Sequence, residues 1–322
     1  MPAQHDRALP RRRVTLRRSS GTPSSSVTEG TMPSIAAAGT PAVGNHGWED
    51  PMNSLHQGFQ ETDESEATFR WLDRVDANPL AQDLKARMLE VCPVRAGDQV
   101  LDVGCGLGHE ALRLAERVGP RGMAVGIDIN STMIAEATRR AADSPLHPRF
   151  EVGDAQQLRF AADSFDMCRT ERVLRYLARP DEALREMLRV TRPGAYVIAF
   201  DWDSDATVVD APDAALSRRV AEVLDAAVPH PWMGRQLFGL FLRAGLADVR
   251  VIAYPVSVSG ATGFGLYQQL NSGTIARAVE TGRLTPADAA AWWRGLEQRD
   301  PPGAFFWANL GFIVAGRKVS DG

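Results

Sequence analysis

The segment Gln99 to Val118, QVLDVGCGLGHEALRLAERV, sets an apolar strand-like run against a glycine cluster, and that cluster against a helix-like run. A glycine turn between strand and helix lets a ligand approach the backbone, and the start of the helix adds unpaired N–H groups. Gly104, Gly106 and Gly108 follow Asp102 as GxGxG, not as the GxGxxG that brings a pyrophosphate onto a helix end. The turn therefore suits a ligand that asks less of the helix dipole and more of side-chain acceptors.

Such acceptors stand at the next two strand ends. MAVGIDIN carries Asp128, 24 positions after Gly104 (128 − 104 = 24), where a carboxylate can accept from both hydroxyls of a ribose. RFEVGDAQQL carries Asp154, placed to accept from an exocyclic amine such as that of adenine. Helix capping competes as a reading of Asp154 and Asn130, since both precede helix-like runs. Two acids at successive strand ends beside a glycine turn favour the ligand.

The same alternation continues outward. Strand-like runs cover Gln99 to Val103, Ala124 to Ile127, Arg149 to Val152, Phe165 to Cys168 and Tyr196 to Phe200. Helix-like runs cover Glu110 to Val118, Ser131 to Ala142, Arg172 to Leu177 and Pro180 to Val190. Strands too apolar to have a wet face, alternating with amphipathic helices, predict an α/β fold: a doubly wound, mostly parallel sheet of the Rossmann-like kind. Ligands in such sheets sit outside the carboxyl ends of the strands, where the strand order reverses. After Asp203 come two helices, a strand, two more helices and a last strand, predicting a helical cap inserted between two final strands. Ahead of the core, Glu64 to Val91 reads as two helices broken near Pro79. The expected organisation is an arm over 1–44, a helical segment over 45–95, a ligand-binding core over 96–203, and cap helices with a strand pair over 204–322.

Composition bounds the function. The chain has 322 residues, 44% hydrophobic, with a formal net charge of −4. No window reaches the roughly 18 apolar residues of a membrane span, and no signal-peptide core follows a basic stretch, so a cytoplasmic location is expected. Cys92, Cys105 and Cys168 are far apart and form no CxxC pair, which argues against disulfides and metal. The arm carries Arg7, Arg11, Arg12, Arg13, Arg17 and Arg18 before a Ser, Thr, Pro, Gly and Ala stretch; it lacks the apolar residues to fold and reads as solvated. The rest shows no basic stripe with interleaved aromatics, so no nucleic-acid partner is expected. Oligomeric state is not legible.

In these motifs the chain resembles a class I S-adenosylmethionine-dependent methyltransferase of the ubiquinone/menaquinone and small-molecule group. VLDVGCGLG, GIDIN, EVGDAQQL and the run from Ser164 to Asp201 match the family's successive motifs, and the close match covers about Gln99 to Asp201. The resemblance implies seven strands, six parallel and one antiparallel, and S-adenosyl-L-methionine as cofactor. It also implies site roles. Gly104, Cys105 and Gly106 would face the methionine part and Asp128 the ribose. Ile129 and Met133 would border the adenine, with Asp154 and the Ala155 amide reading it. The backbone at Arg169 would face the cofactor's amino group, and Asp102 would anchor the turn through loop amides. Two departures stand out: Arg175 occupies a place where many relatives carry histidine, and RPGA ends in Ala195.

Methyl transfer from a sulfonium is an in-line displacement, so alignment in a dry site supplies most of what is needed. A base is needed only for a protonated acceptor. His230 and Tyr176 are the catalytic candidates, with Glu171, Asp201 and Asp203 also near the expected substrate face. Trp202, directly after the fifth strand, and Trp232, in a Pro-rich loop, are the candidate substrate contacts. A small-molecule acceptor fits this aromatic cap. RTERV stands where base- or glutamine-methylating enzymes tend to carry an NPPY-like motif. Three alternatives remain open: an RNA or protein methyltransferase docked by the arginine arm, a cofactor-binding protein without transfer, and a nicotinamide enzyme.

Overall fold

A computed structural model describes residues 66–299 and 301–319; the arginine arm and the start of the helical segment lie outside them. Two helices open the described chain, α1 (Glu66–Ala77) and α2 (Pro79–Val91). Pro79 fits the first helical position, where no N–H is needed, and the Asn78 side chain caps α2 by accepting from the Leu80 amide at 2.9 Å. The core follows as β1 (Gln99–Val103), α3 (His109–Val118), β2 (Met123–Asp128), α4 (Ser131–Ala141), β3 (Arg149–Val152), β4 (Phe165–Glu171), α5 (Pro180–Val190) and β5 (Thr191–Val209). The chain ends with α6 (Ala214–Asp225), α7 (Met233–Arg243), β6 (Ala247–Ser259), α8 (Gly260–Glu280), α9 (Pro286–Glu297) and β7 (Phe306–Arg317).

The strands form one sheet in the order β3-β2-β1-β4-β5-β7-β6. β1 to β5 pair in parallel, and β7 runs antiparallel to both of its neighbours, β5 and β6. The expected α/β, Rossmann-like arrangement of six parallel strands and one antiparallel strand is what the chain adopts. Alternate strand residues feed opposite faces. Leu101, Val103, Val197 and Ala199 join α5 and α7 on one side. Val100, Ile198 and Phe200 join α2 and α3 on the other. A third apolar cluster builds the cap from α6, α8 and α9 around Tyr267, Trp292 and Trp307.

Three expectations need correction. β4 continues to Glu171, three residues past Cys168, because Arg169 and Thr170 still pair with Asp102 and Val103. β5 runs far beyond Tyr196 to Phe200, since β7 follows it from Tyr196–Arg317 to Val209–Trp307 across one irregularity. No helix forms over Arg172 to Leu177. Arg172 takes a left-handed φ of 60° while its amide bonds the Phe200 carbonyl, and only a short 3₁₀ turn, Leu174–Tyr176, follows.

That left-handed step brings Val173 over the glycine turn. Gly104 has φ +76°, and a Cβ there would lie 2.2 Å from a Val173 methyl, so both backbone conformation and space demand glycine. The step is held from below by buried charge. The Glu171 side chain, 7% exposed, lies 2.9 Å from Lys85 of α2, 2.8 Å from Arg169 and 2.9 Å from Arg172. Arg169 also reaches Asp102 and Glu110 at 3.5 Å each, and Arg113 ties Glu110 to Asp76 of α1. Four cations thus meet four acids across α1, α2, β1, α3 and β4. Burial would raise the Glu171 carboxyl, but Lys85, Arg172 and Arg169 overcome it and hold the group below the usual carboxylate range.

Two outcomes follow. Lys85→Met leaves buried acid undercompensated and should cost about 3 kcal/mol in urea unfolding. Because folding depresses the Glu171 pKa, its stabilisation is full above the unfolded value near about 4.3 and fades as pH falls. The variant should therefore lose less stability on acidification than the parent; parallel curves would refute this account. Gly104→Ala should destabilise by about 1–3 kcal/mol, and adding Val173→Ala should recover the steric part but not the backbone part.

Candidate functional site

A cavity of about 1120 Å³ opens at the carboxyl ends of β1, β2 and β4, beside the point where strand order reverses, and runs toward the cap. Its first wall is the glycine turn. The amides of Gly104 and Cys105 both donate to the Ile127 carbonyl, at 2.8 and 2.9 Å, which fastens the end of β1 to the end of β2. Gly106 has φ +52° and nothing within 4 Å of where a Cβ would stand, so its surface is open. Gly126 supports the turn from behind, because any Cβ there would meet the Cys105 sulfur at 2.8 Å. Burial pushes the Cys105 thiol up, so it lines the site as an uncharged group.

Asp128 ends β2. One carboxylate oxygen accepts from the Gly106 amide at 2.9 Å and the other from the Asn130 amide at 3.0 Å. Burial raises its pKa, and these amides, with that of Ile129, oppose the rise. Asp154, just past β3, accepts from the Gln156 amide at 2.8 Å, which turns the chain so that Ala155 faces the cavity. Both carboxylates keep lone pairs beyond these backbone bonds, and both line the cavity.

The second half of the cavity is built from the cap and the neighbouring strands. Trp202, Tyr254 and Val256 come from the sheet, Val220 and Leu224 from α6, and Leu266, Tyr267 and Leu270 from α8. Polar groups stand among them: Thr207 and Asn309 bond each other at 3.1 Å, Arg175 donates to Ser204 at 2.7 Å, and Asp225, Gln269, Asn271 and Thr274 also line this side.

Gly104, Cys105, Gly106, Asp128, Ile129, Met133, Asp154, Ala155, Tyr176 and Trp202 therefore all line one space. Arg169, His230 and Trp232 are not part of that wall. Arg169 lies within β4, 2% exposed, its guanidinium given to Asp102, Glu110 and Glu171; the residues past the strand end are Arg172 and Val173. Asp102 correspondingly finds this guanidinium as its side-chain partner, not loop amides, and burial pushes its pKa up to about 6. The His230 ring nitrogen Nε2 lies 2.9 Å from the Leu177 carbonyl, which can only accept; that nitrogen must hold a proton and is not a free base. Trp232 is 49% exposed and stacks beside Arg235. Tyr176 reaches the cavity, but burial raises its pKa, so it is a phenol at neutral pH.

Sequence reading missed the contribution of α1 and α2, whose Trp71, Leu84 and Lys85 also line the cavity. The available signal was Lys85 itself, a cation on the apolar stripe between Leu84 and Met88. Among the described residues no helix is long and apolar enough to cross a membrane, and no group of acids, histidines and cysteines could hold a metal ion.

Comparison with known proteins agrees with this geometry. Residues 95–229 match the family model described as a methyltransferase domain. An uncharacterized 37.1 kDa protein in transposon TN4556 of Streptomyces fradiae is 36% identical over 248 residues, 77% of this chain and 70% of that protein. The ubiquinone/menaquinone biosynthesis C-methyltransferase UbiE of Bdellovibrio bacteriovorus is 36% identical over 37% of this chain, and that of Pseudomonas putida 30% identical over 46%. The matches span only 50% and 64% of those two relatives. Solved structures share the fold: a Bacillus halodurans C-125 protein with a TM-score of 0.54 at 16% identity, over 73% of this chain and 99% of the other, and YcgJ of Bacillus subtilis with 0.53 at 19%, over 73% and 98%. With its glycine turn, strand-end acids, sheet order and family match, the chain belongs to the class I S-adenosylmethionine-dependent methyltransferases.

Proposed function

We propose that the chain transfers the methyl group of S-adenosylmethionine to a small-molecule acceptor held at the cap end of the same cavity. The observation that carries this reading is the continuity of one cavity of about 1120 Å³ from Gly104, Asp128 and Asp154 to Trp202, Tyr267 and Leu270. That exceeds the upper end, roughly 1,000 Å³, of sites that hold one ligand, so cofactor and acceptor can share it. Gly106 offers open backbone for the methionine part beside Gly104, Cys105 lines the turn, and Asp128 offers lone pairs to the ribose hydroxyls. Ile129 and Met133 flank the adenine, Asp154 accepts from its amine, and the Ala155 amide meets a ring nitrogen. Trp202 is the aromatic side chain nearest in sequence to the end of the parallel core and serves the acceptor.

The bound cofactor supplies an electrophilic methyl on a positively charged sulfur. The residues of this chain exclude water and align the acceptor with it, an entropic contribution of several kcal/mol. Of the acids beside the Arg175 turn, Glu171 is committed to three cations, and Asp201, pushed up to about 7 by burial, accepts from the Arg175 backbone amide. Tyr176 can donate but not abstract at neutral pH. Positioning carries the reaction, and acceptors that are already nucleophilic suit it best. The names of the UbiE relatives specify carbon methylation in quinone synthesis, and an electron-rich ring is an acceptor of that kind; the aromatic and aliphatic cap supports it.

Calorimetric titration of S-adenosylmethionine and S-adenosylhomocysteine, with NAD as control, tests the cofactor half. Selective binding of the two sulfur ligands is expected, and Asp128→Ala should weaken it by about 1.5–3 kcal/mol. Unchanged affinity in a folded variant would remove Asp128 from the site. Removal of the residues before Gly44 should leave methyl transfer to small acceptors, and its salt dependence, unaltered; abolished activity would favour a macromolecular acceptor docked by the arm.

A further inference from the structure

We infer that Arg175 selects the acceptor, and that the acceptor carries an anionic oxygen group, a carboxylate or an ionised phenol, which this guanidinium binds. The inference rests on the proposed use of the cap end of the cavity.

Arg175 stands in the 3₁₀ turn Leu174–Tyr176, lines the cavity and is 8% exposed. Its charge is uncompensated at close range. Nη2 donates to the Ser204 hydroxyl at 2.7 Å, Nε is buried without an acceptor, and Nη1 makes no hydrogen bond to the described residues. No carboxylate among the described residues comes within 4.0 Å of it. The other buried cations near it do have such partners: Lys85 pairs with Glu171, and Arg169 with Asp102 and Glu171; the part-exposed Arg172 also pairs with Glu171. A guanidinium taken out of water without a counter-ion is costly, so an unpaired one in a cavity wall marks a place where the ligand brings the charge.

Two acids are near enough to feel Arg175, and neither comes within 4.0 Å of its guanidinium. Asp201 accepts through Oδ2 from the Arg175 backbone amide at 3.2 Å, but its other oxygen is buried without a partner, and burial holds the group up to about 7. Asp225 lines the cavity from α6 and is raised by burial and by the acids Asp205 and Asp203. The remaining contact, the Tyr176 ring 5.6 Å from the guanidinium carbon, supplies a π face but no negative charge.

The turn is also fixed in place. The amide of Arg175 is held by Asp201, its carbonyl accepts from the His230 amide at 3.0 Å, and the His230 ring bonds the Leu177 carbonyl two residues on. His230 is thus a positioning residue for the turn that carries Arg175. A planar, immobilised fork with free N–H groups matches a carboxylate better than any neutral group of the same shape. Trp202, Val220 and Leu224 of the same cavity offer apolar surface for the rest of such a molecule.

Salicylate and salicylamide, equal in shape and different in charge, are the probes. Each is titrated calorimetrically into the full chain, with and without saturating S-adenosylhomocysteine. The unsubstituted protein should bind the carboxylate at least about tenfold more tightly than the amide. Arg175→Gln should erase that preference while leaving S-adenosylhomocysteine affinity unchanged, Arg175→Lys should retain part of it, and Asp225→Asn should strengthen it. Equal or tighter binding of the amide, a preference that survives Arg175→Gln, or no salicylate binding at millimolar concentration would each overturn the inference. If Arg175→Gln does not fold, the comparison of the two probes in the parent protein decides. Failure of S-adenosylhomocysteine to bind would refute the cofactor reading instead, and the titrations without it would still test Arg175.

Discussion

The carboxylate of Glu171 is the point on which the site depends. It is buried at the end of β4, and three cations from two parts of the chain converge on it. Lys85 brings α2 against the sheet, Arg169 links the acid to β1 and α3, and Arg172 is the residue whose left-handed conformation ends the strand. Without a balanced set of charges this position would be expensive, since each ion removed from water costs several kcal/mol. With the balance met, the geometry is over-determined. The strand stops at one residue, Val173 lands on Gly104, and the Arg175 turn is carried toward the cavity. Cofactor turn and acceptor wall are thus set by one electrostatic knot between them.

The parts of this arrangement that were legible in sequence are those encoded locally. A strand, three glycines and a helix in twenty residues define the turn, and acids at the ends of β2 and β3 define its partners, because the backbone forces that place them act within a few residues. The same holds for the sheet, whose apolar strands and amphipathic helices dictate a parallel, two-sided arrangement before any contact is known. Length was harder to read. β5 looked like five residues because its polar second half is held by β7, more than a hundred residues later in the chain.

Charge was the least legible feature. Only Lys85, on the apolar stripe of its helix, stood out; Glu110, Arg113 and Arg169 gave no such signal, and only tertiary structure turns the four toward one another. Arg169 illustrates the error. The resemblance put its backbone just past the strand, at the cofactor; pairing with β1 instead keeps Arg169 in the strand, which runs on to Glu171. His230 misleads in the opposite direction. In sequence it is the best single candidate for a base, although a loop histidine beside prolines is often structural, and its Nε2 faces the Leu177 carbonyl at 2.9 Å. A residue type can suggest chemistry, but its hydrogen-bond partner decides whether that chemistry is free.

The division of charge along the cavity has a consequence for catalysis. Asp128 and Asp154 line the cavity beside the glycine turn, where the cationic methyl donor is proposed to bind, and Arg175 lines it from the 3₁₀ turn that follows β4. Transfer from a sulfonium to an anion consumes one charge of each sign, a change favoured in a site that excludes water. An arginine bound to the attacking atom would oppose it, since stabilising the nucleophile in the ground state raises the barrier that the transition state must cross. Arg175 is therefore better used on an anionic oxygen away from the reacting atom, where its binding energy goes into alignment. That places the methylated position at a distance from the anchored group, with the apolar wall of Trp202, Val220 and Leu224 between them. A rigid aromatic ring bearing both groups spans such a gap with little conformational entropy to lose.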